Sequence, residues 1–334
     1  MNSKQKKQSV CRVILLAATF VFMLITPLRG FAAEQKNDAV SLLLQWTPQA
    51  QFAGYLMALE KGFYREHGID LTIIPGDPDI IVSNELASGK VDFGTMFLAT
   101  ALERRDAGME LVNIGQFIHH SALMLIARAD SGINTIQDLD GKKVSLWANE
   151  FQIQPRLLFQ QAGIKVHIIL QAQSMELFLR GAVSATSAMW YNEYHTILSS
   201  GWREDELHPF FFKDTEYDFP EDGIYCLEKT LQQHPEAARA LLEGTLQGWR
   251  YAFAHEEETL DVVSRYMTEA KLPLSRIHQR WMLNRMRDIL LKGQAIAENG
   301  ILNKERFDRV VDNLLEAGTI RHPVVYSDFY KKIR

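Results

Sequence analysis

SLLLQWTPQAQFAGYLMALEKGFYREHGIDLTIIP, residues 41–75, reads as strand, loop, helix, strand. Ser41–Leu44 is a short apolar run of strand length, and Ile69–Ile74 is a second, interrupted at Asp70 and Thr72. Between them Phe52, Tyr55, Leu56, Leu59 and Phe63 fall at helical spacing, and Gly68 suits a left-handed cap. A β-α-β unit of this length sets two parallel strands side by side through a right-handed crossover. In open sheets of that kind, ligands sit beyond the carboxyl ends of the strands. That end is Gln45-Trp46-Thr47-Pro48, followed by Gln49, Gln51 and Phe52. An indole, amides and a hydroxyl there form the floor expected of a pocket for a flat polar molecule.

The alternation continues along the chain. Ile80–Leu86, stopped at Gly89, and Ala99–Ala107, stopped at Gly108, read as helices around a buried strand at Val91–Met96. Leu111–Ile114 and Ser121–Ala127 are strand-like. A second unit starts near Ala129: strand Val144–Trp147, helix Gln154–Gln161, strand Val166–Leu170, helix Ser174–Arg180, and strand Ser187–Trp190, ending in Tyr191-Asn192-Glu193-Tyr194. Strand–helix alternation predicts an α/β fold with mostly parallel sheets. The restart without a long linker predicts two similar lobes. From Phe219 the character changes. Pro220–Leu227 reads as a returning strand, and the helical stretches Glu236–Glu256, Glu257–Met267, Leu274–Leu291 and Lys304–Ala317 predict a tail packed back on the first lobe.

Lys4, Lys6, Lys7 and Arg12 precede the apolar run Val13–Leu28, and Phe31-Ala32-Ala33 offers small residues before Glu34. This is the pattern of a secretory signal cut after Ala33. An uncleaved anchor is the alternative, for which the run is short. Removal of residues 1–33 takes away five basic residues and no acids, moving the formal charge from −5 to −10. An acidic exported protein is a poor partner for nucleic acid or anionic membrane surfaces. Only Cys226 remains, so neither an intramolecular disulfide nor a cysteine-based metal site is expected.

Beyond these local readings, LQWTPQAQFAGYLMALEKGFYREHGIDL, SGKVDFGTM, HHSALMLIA, DLDGKKV, AMWYNEYHTIL and YDFPEDGIY resemble the periplasmic solute-binding proteins of ABC importers. The subgroup is the one related to thiamine-pyrimidine precursor binding and to the eukaryotic pyrimidine (HMP-P) synthases. The likeness runs through the mature chain to about Met267, and its most specific pieces are the opening stretch and WYNEY. It implies a type II periplasmic-binding-protein fold, two α/β lobes joined by two crossing strands with the ligand between them. On this resemblance the lobes are 34–128 with 224–334, and 129–223. It also implies an aminopyrimidine held by aromatic stacking and a carboxylate, at positions matching Trp46 and Glu193. Hinge closure would be the working motion.

The residues support that expectation to different degrees. Trp46 at a strand end can stack on a heteroaromatic ring or pack beneath its loop. Glu193, with Asn192, follows the strand Ala188–Trp190, where a carboxylate can accept from an exocyclic amine and a ring N–H. Tyr191 and Tyr194 flank it, one as the facing wall and the other as core. Phe52 and Tyr55 are further lining candidates, although a helical stripe is usually core. His120 and Asp218 border the crossings and could face the cleft, Glu221 suits a hinge, and Glu150 follows Val144–Trp147. His119 and His120 are adjacent, so on a strand they point to opposite faces and do not chelate one ion.

The expected function is therefore capture of a small nitrogen heterocycle, with delivery to a membrane permease, by a periplasmic monomer that needs no cofactor. A riboflavin-like or sulfonate ligand, or a free-standing sensory module, is the alternative. Catalysis is not expected, because no nucleophile–base constellation or phosphate-binding glycine loop is present. The synthases of the resembling family need a cysteine-rich segment and a lysine-bound pyridoxal cofactor, and Cys226 alone does not supply the first.

Overall fold

The computed structural model describes residues 37–291 and 300–334, so the expected leader at 1–33 lies outside the described residues. Among the described residues ten strands, numbered in chain order, form two five-stranded sheets. The first sheet holds β1 (Asp38–Leu43), β2 (Ile69–Ile74), β3 (Phe93–Phe97), β4 (Leu111–Gln116) and β10 (Asp222–Leu227). The second holds β5 (Leu123–Arg128), β6 (Lys143–Leu146), β7 (His167–Leu170), β8 (Ala185–Met189) and β9 (Leu207–Phe211). Their orders, β2-β1-β3-β10-β4 and β7-β6-β8-β5-β9, repeat one plan.

The opening stretch makes the predicted parallel pair, with Asp38 beside Ile69 and Leu43 beside Ile74. Its helix is broken where one run was expected. A 3-10 turn at Ala50–Phe52 leads into the helix Ala53–Glu60, Gly62 takes φ 77°, and a short helix Phe63–Glu66 follows. Gly68 adopts φ 94°, the left-handed cap its position suggested. Ala53–Ala58 are buried all round, not along one stripe. The cause is a second helix, Pro235–Ala254, which packs so closely that a Cβ on Gly248 would sit 2.0 Å from the Gly54 carbonyl oxygen. This helix of the tail thus packs on the opening helix beside the first sheet.

Each sheet is mostly parallel, as expected, with one strand reversed. β10 runs antiparallel to both β3 and β4, and β5 antiparallel to both β8 and β9. Parallel neighbours need a crossover helix. β5 and β10 arrive directly from the opposite sheet, without one, and so lie antiparallel. The chain passes between sheets at 117–122 and again at 212–221, ahead of the restart read near Ala129. One large apolar core spans both sheets, and a smaller cluster around Met124, Ile126, Phe178 and Ile197 lies against the second. Among the described residues no helix is long and apolar enough to cross a membrane.

Candidate functional site

The carboxyl ends of β1 and β3 in the first sheet face those of β6 and β8 in the second, and a cavity lies between them. Its lining is drawn from both sides: Gln45, Trp46, Gln49, Gln51 and Phe97 from the first, with Trp147, Phe151, Met189, Tyr191, Asn192 and Glu193 from the second. This is where the strand-end rule puts a ligand. The aromatic residues form a continuous wall centred on Phe151. Its ring meets Trp46 edge-on at 5.9 Å, Phe97 at 5.3 Å and Trp147 at 6.0 Å. Such T-shaped packing stiffens the rings before any ligand arrives.

The polar groups are equally constrained. Glu193 opens a short helix, Glu193–Ser199, and is 9% exposed. Its Oε2 accepts from the Met189 N–H at 2.9 Å and its Oε1 from Asn192 Nδ2 at 2.7 Å. Burial pushes its pKa up to about 7, against the opposing pull of the Met189 N–H. On the opposite side Asp222, at the start of β10 and 3% exposed, accepts from the side-chain amides of Gln45 and Gln51, the latter at 2.9 Å. Burial raises Asp222 to about 6, with the two amides opposing.

Trp46, Tyr191, Asn192 and Glu193 come together in this cavity. The other expected site residues do not. Phe52 and Tyr55 are 0% and 2% exposed and belong to the core: Tyr55 meets Trp249 of the tail helix and Phe117 edge-on, and Phe52 tilts against Tyr55. His120 and Asp218 form a separate cluster at the crossings. Asp218 Oδ2 lies 2.6 Å from His120 Nδ1 and 3.0 Å from Arg306 Nη1, while Oδ1 accepts from the Ser121 N–H at 2.8 Å. Burial opposes the charge of Asp218, but the hydrogen bonds from His120, Ser121 and Arg306 outweigh it and hold the carboxyl below its ordinary range. Glu150 falls in the short helix Asn149–Gln152, and its side chain lies outside the described residues. Tyr194 packs in the smaller cluster, tilted on Trp281.

Glu221 does sit between the crossing segments. Its Oε1 accepts from Ser121 Oγ at 2.8 Å, Ala122 N at 2.7 Å and Leu123 N at 3.1 Å, while Oε2 has no hydrogen-bond partner among the described residues. Burial, then the charge of Asp222, raises it to about 8. The helix Arg276–Leu291 also reaches both sides. Gln279 Oε1 accepts from the Ala50 N–H at 2.8 Å, while His278 Nε2 lies 2.8 Å from Asn192 Oδ1 and Trp281 Nε1 donates to the Trp190 carbonyl at 3.4 Å.

Phe97, Trp147, Phe151, Met189 and Asp222 were not among the expected site residues. The first two sit at the ends of β3 and β6, where the same strand-end rule would have found them. Asp222 carries no such signal, since it stands near the start of the strand read at Pro220–Leu227 and not at a strand's carboxyl end.

Known proteins give this geometry a context. The chain is 36% identical over 114 residues to a 4-amino-5-hydroxymethyl-2-methylpyrimidine phosphate synthase of Legionella pneumophila, a match covering 34% of this chain and 36% of that one. A putative thiamine biosynthesis protein of Haemophilus influenzae is likewise matched over 44% of its length, so the chain spans under half of both these relatives. A formylaminopyrimidine-binding protein of Halalkalibacterium halodurans is 21% identical across 96% of this chain and 98% of its own. Among solved structures, the periplasmic aliphatic sulphonate binding protein SsuA of Escherichia coli superimposes with a TM-score of 0.64 at 15% identity, covering 86% of this chain and 95% of that one. The periplasmic nitrate-binding protein NrtA of Synechocystis gives 0.61 at 13%, covering 88% and 84%. The fold is that of the periplasmic binding proteins. Residues 49–259, more than half of the chain, match the model of the family described as NMT1/THI5 like, and the chain belongs to that family.

Proposed function

We propose that the chain is the extracytoplasmic solute-binding component of an ABC importer, and that it holds a small amino-substituted nitrogen heterocycle between two lobes, one on each sheet. The observation that carries this reading is the make-up of the cavity. Its walls are aromatic, its polar side chains are amides and one buried carboxylic acid, and none of the eleven lining residues is lysine, arginine or histidine. An anion such as a sulphonate or nitrate wants cationic or N–H donors. A heteroaromatic ring with amino and ring N–H donors wants aromatic faces and acceptors, and Glu193 beside Trp46 supplies both. The formylaminopyrimidine-binding relative, matched over nearly its whole length, supports the same ligand class.

Binding without catalysis, release to a membrane permease, and a monomer exported through a leader at residues 1–33 complete the proposal. The synthase-type names among the relatives point to an enzyme alternative. A lysine-bound cofactor in this cavity would need a lysine in its lining, which instead consists of amides, rings, a methionine and an acid.

A thermal-shift series tests the reading. A formylaminopyrimidine at a hundred times its Kd should stabilise by about 2.7 kcal/mol, a shift of a few degrees, while alkanesulphonates and nitrate leave Tm unchanged. Glu193→Gln should weaken binding more than about tenfold, since one acceptor oxygen is replaced by a donor. Stabilisation by sulphonates and not by aminopyrimidines would remove the ligand class, and unchanged affinity in Glu193→Gln would remove the role of the acid.

A further inference from the structure

Three glutamines line the first-sheet side of the cavity, and each amide can present either an oxygen or an N–H to a ligand. Which it presents is decided behind them. Asp222 does not line the cavity, yet its two oxygens take separate amides, Oδ1 from Gln45 Nε2 and Oδ2 from Gln51 Nε2 at 2.9 Å. A carboxylate accepts and repels a carbonyl oxygen, so both amides must turn their nitrogens towards it. Gln51 Oε1 is then left facing Gln49 and accepts from Gln49 Nε2 at 3.1 Å. The orientation passes one residue further, and the oxygens of Gln45 and Gln49 remain without a protein donor among the described residues. Gln49, Gln51 and Asp222 are 7%, 4% and 3% exposed, so water cannot readily relax the pattern. Across the cavity Glu193 adds a further acceptor.

We infer that Asp222 is a specificity-determining residue: by orienting the amides of Gln45, Gln51 and Gln49 it makes the cavity acceptor-rich and selects rings bearing an exocyclic amino group over their oxo counterparts. This rests on the heterocycle-binding reading and adds to it the polarity of the preferred ligand. Discrimination of this sort is steep, because the wrong partner leaves a buried acceptor facing another acceptor. Asp222 acts through the amides and does not itself touch the ligand.

The test is calorimetric titration of the full mature chain with 4-amino-5-hydroxymethyl-2-methylpyrimidine and its 4-oxo analogue. Wild type should prefer the amino compound by about tenfold or more. Asp222→Asn lets an amide turn over, so the ratio of the two affinities should fall about tenfold, with the oxo compound losing less than the amino compound. Gln51→Met leaves Asp222 bonded to Gln45 but frees Gln49. It should lower the ratio about threefold, and it carries the test if Asp222→Asn does not fold. Equal losses for both compounds, or an unchanged ratio in these variants, would overturn the assignment while leaving the cavity as a binding site. Failure of wild type to bind either compound would overturn both this inference and the ligand class it rests on.

Discussion

Glu221 offers a prediction in which two physical effects have opposite signs. A carboxylate accepting three donors, as Glu221 does from Ser121, Ala122 and Leu123, is ordinarily held at low pKa. Complete burial and the neighbouring Asp222 charge work the other way and carry it from 4.5 to about 8. The folded protein then holds this proton more tightly than the unfolded chain does. Its contribution is fully present below about pH 4.5 and is lost as pH rises through about 8. At about 1.4 kcal/mol per pH unit, the full loss is on the order of 5 kcal/mol. Glu221→Gln keeps one oxygen for the three donors but buries an amide N–H where Oε2 had no partner. It should be less stable than wild type at pH 5 by about 1–2 kcal/mol and more stable at pH 9. Urea unfolding of both proteins at pH 5, 7 and 9 would display the crossing. Glu193 titrates with the same sign in both proteins and largely cancels, so the difference reports Glu221 together with its coupling to Asp222. Parallel curves, or a wild type that gains on the variant with rising pH, would refute the reasoning and show that the three donors win.

Trp46→Ala should abolish heterocycle binding with little loss of stability, since the ring is only partly buried and meets Phe151 at its edge; a melting point lowered by more than a few degrees would assign the ring to packing instead. Gly248→Ala should cost about 3 kcal/mol or more in chemical denaturation, because its Cβ would lie 2.0 Å from the Gly54 carbonyl oxygen and 2.9 Å from the Ala58 nitrogen, backbone atoms that cannot rotate aside. A neutral result there would mean that the two helices can slide apart.

Much of the architecture was legible because strands and helices announce themselves by period and by glycine stops. Gly68, Gly89 and Gly108 all take positive φ at the expected ends of elements. What periodicity cannot say is which sheet an apolar run joins. Leu123–Arg128 reads as a buried strand, yet only its hydrogen bonds to β8 and β9 assign it to the second sheet. The site was legible in the same uneven way. Trp46 and Glu193 stand at strand ends, where chemistry collects, and they do share a cavity. Phe52 and Tyr55 lie on a helix whose covering partner is nearly two hundred residues away, so their burial was not visible locally. Asp218 and His120 are close to the crossings, but Arg306, from the far tail, draws both into an ion cluster. Asp222 is the hardest case, for its role depends on amides brought to it by the fold alone.

The helix Arg276–Leu291 is moored unevenly. Towards the first sheet it is fastened by Gln279 to Ala50, by Arg276 to Glu257 and Asp261, and by Arg280 to Glu256 and Glu257. Towards the second sheet it has His278 beside Asn192 and His195, Trp281 stacked on His195 with a long bond to the Trp190 carbonyl, and the Arg285 guanidinium 4.8–4.9 Å from both indoles. If the halves separate when solute departs and the helix keeps its ion pairs to Glu256, Glu257 and Asp261, it travels with the first sheet. Trp190 would then lose the Arg285 guanidinium, which stays beside Trp281 on the same helix, and both indoles would meet water, giving the molecule an optical gauge of its own opening.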